Sequence, residues 1–292
     1  MWSLKYTEMA DFLKDVREFG FTHLELSSAL KPDTLNSLLQ AEDLKVSSVH
    51  APCPNRDTPE GLAGTLSLSS LAEEQRRLAV ENVKQTVDLA VQVHAPAVVV
   101  HAGYAQMDSE MERNLRKLWT QNGANQIETA ELRNRMAEIR KFVSSPHVDA
   151  AKKSLLEIAA YAHTKGIRIA LENRAHFHEI PNIDEMMDIL REFEPGVMGY
   201  WHDIGHAEMQ SRLGFTPHED WFAALADRLA GVHLHDVIGL QDHHAPGIGE
   251  MKWHMIAHNL PEDVIRVCEV AEWNEPAHTR QTVAFLKEKG II

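Results

Sequence analysis

Short apolar, β-branched runs alternate along the chain with longer stretches whose apolar residues recur three or four positions apart. The runs cover residues 22–26 (THLEL), 46–49 (VSSV), 97–100 (AVVV), 167–171 (IRIAL), 197–200 (VMGY), 232–234 (VHL) and 264–270 (VIRVCEV). Between them, residues 72–93 carry Val80, Val83, Val87, Ala90 and Val91 at helical spacing, and residues 154–163 and 183–193 repeat the pattern. Strands alternating with helices predict a parallel sheet buried on both faces. Gly20, Gly166, Gly196 and Gly231 stand where a glycine is expected just past a helix C-terminus.

From residue 167 onward the runs begin one compact βα unit apart. The gaps from 46 to 97 and from 97 to 167 are too long for one helix each. Residues 58–70 read as loop, and residues 107–143, charged and rich in Met and Leu, predict added helices in the 105–145 region. That insertion could serve as a lid or as a surface for a homo-oligomer. No linker or low-complexity tract divides the chain, so the expectation is one domain over residues 1–292. The fold class expected is α/β, a TIM-type (β/α)₈ barrel, which commonly takes ~250 residues. The seven runs are one short of eight. A first helix predicted at about residues 7–19 has almost nothing before it, so either residues 2–5 are the remnant of a first strand or the barrel is open there.

Ligand-type side chains close six of the seven runs. The second ends in His50, the third in His101 and the fourth in Glu172. The fifth ends in His202 and Asp203, with His206 following, the sixth contains His233, His235 and Asp236, and the seventh contains Glu269. In a parallel barrel these C-terminal strand ends converge on the mouth, where active sites are assembled. Each residue alone is unremarkable, because a single histidine at a strand end is ordinary. Several carboxylates and imidazoles converging on one place would repel or remain desolvated without a partner, and a divalent cation is the simplest partner. Asp242, His243 and His244 closely follow the sixth run and are further candidates. The nearby Gly247 and Gly249 read as a turn.

Composition narrows the chemistry. The 292 residues include 29 Lys plus Arg and 43 Asp plus Glu, a net charge of −14 that disfavours a phosphate-backbone partner. Two cysteines, Cys53 and Cys268, cannot build a disulfide framework or a four-cysteine zinc site. No signal peptide or membrane-spanning run is visible, so a soluble cytoplasmic protein is expected. Walker, His-Glu-x-x-His, Cys-x-x-Cys and Gly-x-Ser-x-Gly patterns are all missing, which leaves metal-assisted chemistry.

The motifs GFTHLEL, SVHAP, VVVHAG, IALEN, HDIGH, GVHLHD, DHHAPGIG and VCEV, in this order, resemble the xylose isomerase-like barrels, the sugar phosphate isomerase/epimerase family, to which abasic-site endonucleases are related. The similarity runs from about Gly20 to the C-terminus. It implies metal ligands at Glu172, Asp203, His233 and Glu269, an oxygen-rich set suited to Mn²⁺ or Mg²⁺, with Zn²⁺ or Co²⁺ open. It also implies that Glu172 and Glu269 move protons while His50, His101 and His206 line a pocket for a small polyhydroxylated substrate. His235, Asp242, His243 and His244 are candidates for substrate contact or additional metal. The implied activity is isomerisation or epimerisation of a sugar, sugar phosphate or keto acid through a metal-stabilised enediolate. Alternatives are a lyase or dehydratase on a similar substrate, a tri-zinc phosphodiesterase, or a barrel that binds without turnover. The chain departs from the family pattern at its missing first strand and at His235, where a lysine is common.

Overall fold

Alternation of side chains along the apolar runs decides what each strand places inside the barrel. The strands are β1 (Leu24–Leu26), β2 (Val46–His50), β3 (Ala97–Val100), β4 (Arg168–Glu172), β5 (Met198–Asp203), β6 (Leu229–Leu234) and β7 (Ile265–Cys268). In the computed structural model, which describes residues 1–41 and 44–292, each pairs in parallel with the next in sequence. Parallel neighbours require crossovers. Helix α1 (Met9–Glu18) precedes β1, the crossovers contain α2 (Pro32–Leu39), α3 (Glu73–Gln92), α4 (Ser109–Asn122), α5 (Ile127–Val143), α6 (Ser145–Thr164), α7 (Ile183–Leu190), α8 (Ile204–Leu213), α9 (His218–Leu225) and α10 (Trp253–Asn259), and α11 (Pro276–Glu288) follows β7.

Val98, Val100, Ile169, Leu171, Val232 and Leu234 join the main core. Their strand neighbours Val99, Ala170 and Trp201 pack separately with Ala230, Ile265 and Val267. That second cluster is the floor on which the polar strand ends stand. Gly231 belongs to it rather than to a helix end. It lies inside β6, where a Cβ would come within 2.2 Å of the Trp201 ring. Gly231→Ala is therefore expected to cost ~1–3 kcal/mol of overpacking strain. At ~2–4 °C per kcal/mol, thermal unfolding should show a clearly lower Tm; an unchanged Tm would contradict the tight packing. Gly196 is also not at a helix end, since α7 stops at Leu190, whereas Gly20 and Gly166 follow α1 and α6 with φ of 89° and 71°.

The predicted insertion resolves into α4 and α5. Asp108 caps α4 by accepting from the Glu110 amide. Leu115 and Met136 from these helices form a small apolar cluster with Leu213, against which Phe177, Phe215 and Leu240 pack. The insertion is thereby anchored to the loops after β4 and β6, at the barrel mouth. Residues 58–70 are not wholly loop: Asp57–Thr58 pairs with Gly61–Leu62, and Ala63–Thr65 is a 3₁₀ turn.

Trp2–Lys5 is likewise a 3₁₀ turn, so the remnant-strand alternative fails. Trp2 packs on Tyr6, Phe12 and Phe19. Among the described residues no strand joins β1 to β7, and the barrel is open there. The seam is a cavity of about 790 Å³ lined by residues including Phe12, Val16, Leu24, Ile265, Val267 and Leu286.

A candidate metal centre at the barrel mouth

Parallel register brings the inward-facing strand ends side by side. Asp203 at the end of β5 lies opposite His233 on β6, and Glu25 on β1 lies opposite Ser48 on β2. His50 and Glu172 are the last residues of β2 and β4, and His101 and Glu269 each sit one residue beyond a strand. Ligand atoms of Glu172, Asp203, His233 and Glu269 all lie within 4.8 Å of one another. The same holds for His50, His101 and Glu172, and for His206, Asp242 and His243. Glu172 links the first two groups: its Oε2 is 3.1 Å from His50 Nε2 and 2.7 Å from His101 Nε2, while its Oε1 is 3.2 Å from His233 Nδ1.

Hydrogen bonds on the far side of each ring indicate which nitrogen faces the centre. His50 Nδ1 donates to the Ala51 carbonyl (3.2 Å), so its Nε2 faces Glu172. His206 Nδ1 donates to the Asn173 carbonyl (3.0 Å), and its Nε2 lies 3.8 Å from Asp242. His233 Nε2 donates to Glu25 Oε1 (2.9 Å), leaving Nδ1 at 3.0 Å from Glu269 and 3.6 Å from Asp203. His243 Nδ1 donates to Asp242 (3.0 Å), with Nε2 3.6 Å from Glu269. Metal-binding imidazoles use their second nitrogen in this way. A lone pair facing a carboxylate is repulsive unless a cation lies between them. The centre also holds four buried carboxylates, Glu25, Glu172, Asp203 and Glu269, around one His233 ring. The donor set thus fits a divalent cation.

In the metal-free chain protons take that place. Burial pushes the His233 imidazole down, but Glu269, Glu25 and Glu172 outweigh it and raise its pKa well above the usual value. His50 is raised by its bond to Glu172 against the same burial, and His243 by Asp242 and Glu269. Burial would raise Glu172, Asp203 and Glu269. The rings of His101 and His233 around Glu172, of His206 and His235 around Asp203, and of His233 and His243 around Glu269 instead hold all three well below the carboxylate range. His101 differs, because burial and the adjacent Arg174 guanidinium push it down to about 4.

Two candidate placements are settled by geometry. His243, with a left-handed φ of 59°, turns its ring into the centre. His244 points away, against the Trp273 ring at 4.5 Å. His202 faces the opposite side of β5, where it meets His218 (3.0 Å) and Tyr200. His235 is buried against Asp203.

Three further residues, which the sequence pattern does not single out, complete the centre. Glu25, one residue before the end of the first run, faces inward by the same alternation that places the others. Asn173 accepts from the Asp203 amide (2.8 Å) and donates to its carbonyl (3.0 Å). Arg174, held by Glu179 (2.9 Å), directs Nη1 onto His101 at 2.5 Å. Nothing in a lone Asn-Arg pair signals either role.

A family model described as xylose isomerase-like TIM barrel matches residues 13–289. An uncharacterized protein of Methanocaldococcus jannaschii, MJ1311, is 24% identical over 238 residues, covering 80% of this chain and 67% of that protein. The solved structure of a D-tagatose 3-epimerase-like protein superposes with a TM-score of 0.70 at 22% identity, covering 98% of this chain and 94% of the other. That of D-psicose 3-epimerase with D-tagatose from Clostridium cellulolyticum H10 gives 0.67 at 13% identity, covering 98% and 95%. At such identities the structural likeness is one of fold.

Proposed function

The chain belongs to the xylose isomerase-like TIM-barrel family, and on that premise we propose that it is a divalent-metal-dependent isomerase or epimerase. Its substrate would be a small sugar, sugar phosphate or keto acid. The observation that carries the reading is the convergence of Glu172 and Glu269 on one ring nitrogen, His233 Nδ1, at 3.2 and 3.0 Å, with Asp203 beside them. Glu172, Asp203, His233 and Glu269 would hold the cation. When bound, it supplies Lewis-acid polarisation of the substrate's carbonyl and hydroxyl oxygens. Glu172 and Glu269 are the groups assigned to remove and return the carbon-bound proton, since both are ionised and face the same space. His50, His101 and His206 line that space and orient hydroxyl groups. The names of the epimerase neighbours agree with this substrate class. The whole of residues 1–292 would act as one domain.

A second reading has an observation of its own. The three ligand groups meet through Glu172 and through the His243–Glu269 approach, which suits a multinuclear phosphodiesterase-type centre as well as a mononuclear one. The charge of −14 counts against nucleic acid as its substrate. Metal analysis of protein purified without chelator separates the two. The isomerase reading expects about one divalent ion per chain, whereas about three zinc ions would favour phosphodiester cleavage and none would favour a binding barrel.

A further inference from the structure

We propose that His235 is a positioning residue, the hydrogen-bond donor that fixes the Asp203 carboxylate, and not a cation ligand; this rests on the metal-centre reading above. By distance alone His235 qualifies as a ligand. Its ring nitrogen lies within 4.8 Å of ligand atoms of Asp203, His243 and Glu269. The other nitrogen decides the matter. The backbone N–H of His243 donates to His235 Nδ1 at 2.9 Å. A peptide N–H can only donate, so Nδ1 is unprotonated and the proton of the neutral ring resides on Nε2. That Nε2–H faces Asp203 Oδ1 at 2.9 Å and Oδ2 at 3.0 Å. To bind a cation through Nε2, the ring would have to become an imidazolate or move its proton to Nδ1 against the incoming amide. His50, His206 and His233 show the reverse arrangement, each donating outward and keeping a lone pair for the centre.

The surroundings hold this orientation. The His235 ring is fully buried and stacks on His243 with centroids 4.4 Å apart and planes 6° apart. Gly205 leaves the space it occupies, since a Cβ there would fall 2.0 Å from His235 Cε1. Asp203 Oδ1 also accepts the His206 amide at 2.8 Å. Oδ1 is thus shared by the His206 amide and His235, while Oδ2, which meets the same His235 donor, faces His233 Nδ1 at 3.6 Å. His235 therefore acts through Asp203, where the familiar lysine is replaced by a donor committed to a ligand.

The test compares two substitutions by calorimetric titration with Mn²⁺. His235→Gln retains an N–H near the Nε2 position, and His235→Leu has none. The proposal expects unchanged stoichiometry in both, with affinity weakened by about 10–100-fold in the Leu variant and by no more than about 3-fold in the Gln variant. Loss of an equivalent of Mn²⁺ from the Gln variant, or equal weakening in both, would overturn it. Nitrogen-15 NMR of histidine-labelled wild type gives a readout independent of the variants. His235 should show the Nε2–H tautomer without metal and keep it on addition of Zn²⁺, while His233 shifts; a zinc-bound Nε2 at His235 overturns the proposal. If wild type binds neither cation, the metal-centre reading fails, and the tautomer of the metal-free protein still decides the His235 assignment.

Discussion

Glu269→Gln is expected to lower kcat by about 10²–10⁴, the range general acid–base catalysis contributes, while leaving the fold intact. The side chain stands beyond the end of β7, and its backbone is fixed independently by the Glu269 amide donating to the Leu234 carbonyl at 3.2 Å. The amide has the same shape as the carboxylate and still offers an oxygen toward His233, so circular dichroism should match wild type. It cannot accept a carbon-bound proton. Its loss of charge also weakens cation binding, so the assay belongs at saturating Mn²⁺. Exchange of substrate C–H for solvent deuterium tests the assigned step directly. Wild type should incorporate deuterium starting from either isomer, whereas the variant should lose incorporation from the isomer whose proton Glu269 faces. Turnover within a few-fold of wild type under these conditions would remove Glu269 from the proton-transfer role.

The barrel was readable because its physics is periodic. A strand buried on both faces needs apolar residues at successive positions, so AVVV and IRIAL stand out, and the polar residue that ends each run marks the mouth. That rule marks Glu172, Asp203, His233 and Glu269 among the other ligand-type residues at the mouth, and the family resemblance singles them out as one set; Glu25 shares their inward alternation without ending its run. Glu25 carries no such mark, because THLEL ends in the apolar Leu26 and its carboxylate lies inside the run. Boundaries were less readable. In sequence Gly231 reads as a helix end, because a glycine between apolar residues has two explanations and only the Trp201 ring packed over it distinguishes them.

Nitrogen-by-nitrogen roles lie beyond sequence altogether. His233 and His235 are two residues apart on one strand line, and both touch Asp203. Their difference comes from what meets the far side of each ring, a carboxylate from β1 in one case and a backbone amide from the loop after β6 in the other. The choice between His243 and His244 similarly turned on a left-handed residue within the Gln241–His244 segment. Spacing alone leaves either histidine equally near.

Metal-free protein should be most stable between about pH 5 and 6.5, bounded by the ordinary carboxylate and imidazole values, and a divalent cation should abolish its loss of stability on the alkaline side. Glu172, Asp203 and Glu269 ionise more readily in the fold than in the unfolded chain. Their contribution is complete above the unfolded carboxylate pKa and is lost as pH falls through the depressed folded values. His50, His233 and His243 are raised. Their contribution is complete below the unfolded imidazole pKa and is lost as pH rises through the folded values. A metal ion requires those rings to be unprotonated, so binding releases protons and tightens as pH rises. At a cation concentration 1,000 times Kd the stabilisation is about 4.1 kcal/mol. With ~2–4 °C per kcal/mol, this corresponds to a Tm increase of roughly 8–16 °C. Scanning calorimetry at pH 6, 7.5 and 9, with Mn²⁺ or with EDTA, should therefore show a gap between the two curves that widens with pH. A gap that narrows with pH, or identical Tm values throughout, would mean that protons and metal do not share the centre formed by Glu172, Asp203, His233 and Glu269.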